Sequence, residues 1–130
     1  MTIHLQTIPH DQQRYPTVGD YWEEADGVEH VRVSELPDWR YEALVAVHEI
    51  VELLLAKHRA ISEEAISAFD VEFERDREHG KVLGEPGDDP RAPYKREHFF
   101  ATNVERLLAA ELEVDWRSYE TLVDSLGVKK

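Results

Sequence analysis

The chain predicts an α+β domain. Its first forty residues alternate apolar and polar side chains with a period of two, and most of the rest follows a helical period. A length of 130 residues, 42% of them hydrophobic and 33% charged, gives one domain with a core of its own, spanning 1–130. The expected architecture is a small N-terminal antiparallel sheet of about three strands followed by about four helices.

"IHLQTIP" is the first strand, and "YWEEADGVEHVRVSEL" is two more around Asp26-Gly27, a pair suited to the positive backbone angles of a tight hairpin turn. Pro37 closes the sheet, and Asp38 is placed to cap a helix from about Trp39 to Arg59. Steps of 100° put Leu44, Val47, Ile50, Val51, Leu54 and Leu55 on its inner arc, with Tyr41, His48 and Glu52 at the border. Ser62 caps a second helix that ends near His79-Gly80 and turns Ile61, Ala65, Phe69 and Phe73 inward. "GKVLGEPGDDPRAP", residues 80–93, has three glycines and three prolines and cannot be regular structure; it reads as a lid or a rigid loop. The third helix, within "YKREHFFATNVERLLAAELE", turns Phe100, Ala101, Val104, Leu108 and Leu112 inward, and a fourth starts at the Asp115 cap and stops at Gly127. The aromatic residues, including Trp39, Phe99 and Phe100, are expected in the core and at its borders.

Composition removes several function classes. No cysteine is present, so a metal would have to be held by His, Asp and Glu. A formal net charge of -13 repels phosphate backbones and argues against nucleic acid. There is no run long enough to span a membrane and no basic-then-apolar leader, so the expectation is a cytoplasmic protein without a membrane partner.

The chemistry-bearing stretch is "VHEIVELLLAKHR", residues 47–59. His48 and Glu52, four apart on one helix, reach the same point in space, which is what one metal ion needs. Glu49 stands where a general base would take a proton from activated water. The competing reading puts all three on the solvated flank of a core helix.

This stretch resembles the zincin-like metalloproteins, whose signature is H-E-x-x-H on a helix after the edge strand of a small sheet. "VRVSELPDWRYEALVAVHEIVELLL" has that layout, and the likeness covers roughly residues 18–59. It implies His48 as a metal ligand and Glu49 as catalytic base, in a zinc-dependent hydrolase acting on a peptide or amide bond of a peptide or small-molecule substrate. The departure is Glu52 in the place of the second His, an HExxE variant that carboxylate chemistry tolerates. His98, on the third helix, would complete a two-His, one-carboxylate set of His48, Glu52 and His98. Glu105, seven residues on, is an alternative third ligand or the acceptor that orients a ligating His. Tyr94 is the best candidate to stabilise an oxyanion.

Two rival readings stay open. Glu49 and Glu52 followed by Asp70 and Glu74 resemble the magnesium sites of helical nucleotide pyrophosphatases, although Arg75 and Arg77 make ordinary helix salt bridges the simpler fate for that later pair. The other is a catalytically inactive acidic module that binds a basic protein partner.

Overall fold

A computed structural model describes residues 1–129. Strands β1 (Ile3–Ile8), β2 (Thr17–Glu23) and β3 (Glu29–Ser34) come first, then helices α1 (Trp39–His58), α2 (Glu63–Glu78), α3 (Lys95–Glu111) and α4 (Trp116–Leu126). A last short strand, β4 (Val128–Lys129), joins the sheet, whose order is β1-β3-β2-β4. The α+β class is as expected.

The sheet is mixed rather than antiparallel. β2 and β3 form the expected antiparallel hairpin, with Tyr21 opposite Val31 and Trp22 opposite His30, and Gly27 takes a φ of 82° in its turn. β1 instead runs parallel to β3, Leu5 opposite Val31, because the chain passes through a 3-10 turn at His10–Gln12 and crosses to the far side of β3 before β2 begins. Alternation in sequence records which face a side chain takes and carries no information on strand direction.

All three expected caps at the helix starts form, Asp115 accepting from the Ser118 amide at 2.9 Å. Asp38 accepts from the Arg40 amide at 2.9 Å, and the Ser62 hydroxyl accepts from the Ala65 amide at 3.1 Å. The Arg40 guanidinium also donates to the Leu112 carbonyl at 3.0 Å, which ties the start of α1 to the end of α3.

The orientation of α1 differs from the expected arc. Its buried residues are Leu44, Val45, Ala46, His48, Glu49, Glu52, Leu53 and Ala56, whereas Leu54 is exposed and Val47, Ile50, Val51 and Leu55 are half-buried. Apolar residues surround this helix almost completely, so periodicity could not say which face turns inward. The face that does turn inward has the three ionisable residues at its centre.

α2 buries Ile66, Asp70 and Phe73, while Ala65 is exposed. α3 buries Glu97, His98, Ala101, Glu105 and Ala109, and leaves Phe99 and Phe100 in solvent at 68% and 55% exposure, against the expectation of Phe100 inside. Trp39, 67% exposed, is also outside. On α3 the stripe of His98, Ala101, Glu105 and Ala109 faces α1, and its small members let the two helices approach closely.

The core joins Val31 and Val33 of the sheet's inner face, and Val18 of β2, to Leu44, Val45 and Leu53 of α1 and to Tyr119 and Val123 of α4. A buried aliphatic side chain contributes about 1.5–3 kcal/mol, and an unpaired buried charge costs several kcal/mol. The ionisable residues in this interior therefore have to be paired almost completely.

Candidate metal centre

α1 and α3 bring His48, Glu52 and His98 together at a buried point between them, each 0–1% exposed. His48 Nε2 lies 3.1 Å from Glu52 Oε2 and 3.2 Å from His98 Nδ1, and His98 Nδ1 lies 3.0 Å from the same Glu52 oxygen. Three donor atoms from three side chains thus form a nearly equilateral triangle. Zinc bonds of about 2.0–2.2 Å in tetrahedral geometry place neighbouring ligand atoms about 3.3–3.6 Å apart. The triangle is within a few tenths of an ångström of that size.

Two of the three corners are held from behind by hydrogen bonds. His48 Nδ1 meets Glu105 Oε1 at 2.8 Å, and the second oxygen of Glu105 accepts from the Tyr119 hydroxyl. With Glu105 accepting from Nδ1, a singly protonated His48 would turn the Nε2 lone pair to the triangle. Glu52 presents Oε2 to the triangle because its Oε1 accepts from the Tyr21 hydroxyl at 3.0 Å. His98 turns its Nε2 outward toward the glycine-proline loop, where Glu85 Oε1 lies at 3.6 Å and Asp88 Oδ1 at 3.5 Å. The donor set, its burial and its outer carboxylates fit a divalent transition ion, which His48, Glu52 and His98 would hold.

Without an ion the same atoms are held together by protons. Burial lowers the affinity of His48 for its proton, but the hydrogen bonds to Glu105 and Glu52 outweigh it and raise the pKa to about 10. His98 is raised to about 12, again against burial, by Asp88, Glu52 and Glu85. Burial pushes the Glu52 carboxyl up, yet the two imidazoles hold it below the ordinary carboxylate value. Tyr21 is pushed well above the ordinary phenol value by burial and then by Glu52 and Glu49.

Glu49, fully buried, occupies the side of α1 that packs on β2. A methyl group at Gly19 would sit 2.5 Å from its Oε1, so the strand has a glycine where this carboxylate needs room. Its charge acts on Tyr15, Tyr21 and Tyr119, the last two being the phenols that hold Glu52 and Glu105.

Of the residues singled out from sequence, the structure gathers His48, Glu52 and His98 into one point and puts Glu105 behind His48 as its hydrogen-bond partner. The solvated-flank reading of α1 does not hold, since His48, Glu49 and Glu52 are all at 0% exposure. Tyr94 is turned elsewhere: its hydroxyl donates to Asp70, which is buried beneath it. Asp70 is therefore not a surface salt-bridge residue, whereas Glu74 does pair with Arg77 at 2.6 Å. Both candidate metal-holding groups among the described residues include His98. A cavity of about 490 Å3, lined by Arg14, Tyr15, Asp70, Val71, Glu74 and Arg75, reaches Asp70, and none of the three triangle residues lines it.

Sequence reasoning missed Tyr21 and Tyr119. Each is a tyrosine amid core-facing aliphatic residues, and a buried phenol has to find an acceptor. Glu85 was also missed, because nothing local in a loop shows which way its side chains turn. No helix among the described residues is long and apolar enough to cross a membrane. Comparison with family models, with curated proteins and with solved structures finds no match for the chain, so the reading of the centre rests on its own geometry.

Proposed function

We propose that this protein is a metal-dependent hydrolase in which His48, Glu52 and His98 hold one divalent ion, zinc being the ion that such a set suits best. The observation that carries the reading is the triangle of donor atoms at 3.0–3.2 Å, two of whose side chains, His48 and Glu52, are each backed by a hydrogen-bond partner that fixes its orientation. The bound ion supplies Lewis acidity toward a carbonyl oxygen and toward water. Glu49, next to His48 and equally buried, takes the water proton and returns it to the leaving amine. Tyr21 and Glu105 keep Glu52 and His48 in the ligating orientation. The strand-turn-helix layout of residues 18–59, read as zincin-like, supports a peptide or amide bond as the target.

Burial of the whole triangle favours a second reading, in which the ion stabilises an acidic binding module for a basic protein partner and no reaction occurs. The same experiment separates the two. Elemental analysis of protein purified without chelator is expected to give about one zinc or similar ion per chain, lost in both His48→Ala and His98→Ala. Glu49→Gln is expected to keep the ion and lose turnover in an amide-hydrolysis screen. Wild type that stays empty after incubation with zinc, manganese and nickel would sink the metal reading. A loaded wild type with no turnover would leave the binding module.

A further inference from the structure

The loop between α2 and α3 is built against the far side of His98. Pro86 and Gly87 are buried there, in a 3-10 turn closed by the Asp89 amide on the Pro86 carbonyl at 3.1 Å. A methyl group on Gly87 would lie 2.2 Å from His98 Cγ, so the backbone lies directly on the imidazole and only glycine fits. The turn places the Glu85 and Asp88 carboxylates on either side of Gly87, 3.6 and 3.5 Å from His98 Nε2. That nitrogen is buried and has no hydrogen-bond partner among the described residues.

The chemistry of imidazole then constrains what these carboxylates do. A neutral ring that gives the Nδ1 lone pair to an ion keeps its proton on Nε2. Such an N–H, buried and unpaired, is unfavourable, and it has two acceptors poised just beyond hydrogen-bond length. The same proton leaves Nε2 without a lone pair for a second ion, so the outer carboxylates serve as acceptors rather than as ligands.

We infer that Glu85 and Asp88 are positioning residues for the metal centre, accepting the Nε2–H of His98 and thereby coupling occupancy of the centre to closure of the loop over residues 81–93. The inference rests on the metal reading above. The metal-free ring already offers this N–H, but a bound ion fixes the ring through Nδ1, so that one or both carboxylates close onto Nε2 and the loop tightens. Losing the ion frees the ring and loosens the loop. Affinity for the ion and order in the loop are therefore two readouts of one contact.

The test uses the full chain and zinc alone as probe. Zinc affinity is measured by competition with a chromophoric chelator for wild type, Glu85→Ala/Asp88→Ala and the milder Glu85→Gln/Asp88→Asn, beside amide hydrogen exchange over residues 81–93 with and without zinc. The double alanine variant is expected to bind about 10–100-fold more weakly, the usual effect of removing an outer partner. The amide pair is expected to fall between it and wild type, because it still accepts a hydrogen bond without the charge. Zinc should slow loop exchange in wild type and not in the alanine variant. Equal affinity within twofold, or equal slowing in both proteins, would overturn the inference and leave the three-ligand centre intact. Two zinc ions per wild-type chain, one of them lost in the alanine variant, would also overturn it, making Glu85 and Asp88 ligands. Wild type that binds no zinc would overturn it together with the metal reading.

Discussion

In the proposed centre an ion would replace protons on His48 and His98, and the sign of the pH dependence follows. Their folded pKa values, about 10 and about 12, lie above the ordinary imidazole value of 6.5. The stability they contribute to the metal-free protein is complete below about pH 6.5 and is lost as pH rises through 10 and then 12. An ion must displace protons from both rings, so its affinity runs the opposite way and increases with pH over the same range. Titrating zinc at pH 8 by calorimetry, in two buffers of different ionisation enthalpy, is expected to show about two protons released per ion. Release of none would mean that the rings are neutral before the ion arrives.

Packing at the level of elements depends on a few small residues that let charged ones come inside. Gly19 on β2 faces Glu49 and Val45 of α1, and a Cβ there would meet them at 2.5 and 2.7 Å. Gly19→Ala is expected to destabilise by about 1–3 kcal/mol, the usual cost of overpacking, read from chemical denaturation of the metal-free chain. An unchanged midpoint would show that Glu49 can swing away. The sequence made the helices, their caps and the pairing of His48 with Glu52 legible, because capping and i,i+4 spacing are local. It could not orient α1, since an apolar surface almost all round leaves the buried arc undetermined until β2 and α3 choose it. Phe100 went to solvent for a related reason: Ala101 and Ala109 allow α3 to approach α1 on a narrow polar stripe, and the bulky side chains beside that stripe are displaced outward. The meeting of His98 with His48 is fifty positions apart in the chain and was reachable only as a guess from residue type.

For the molecule as a whole, a mostly apolar interior encloses one group of ionisable side chains, His48, Glu49, Glu52, His98 and Glu105. Removing the ion with a strong chelator is expected to lower the melting temperature of the loaded protein, and restoring zinc at about one hundred times its dissociation constant should return about 2.7 kcal/mol. Thermal denaturation of wild type beside His98→Ala checks this: the variant should show neither the loss nor the recovery. Glu52 and His98 are separated by 46 positions, and an ion held by both closes that length of chain as a crosslink. For a covalent bridge, chain-entropy arguments assign a loop of this size about 4 kcal/mol. A coordination bridge of similar span has a different vulnerability: it is indifferent to reductants and oxidants, and it is opened by acid and by any competitor for the ion. The chain would then hold its shape in a reducing compartment where a disulfide would not last, with metal supply, rather than redox state, deciding how firmly it is folded.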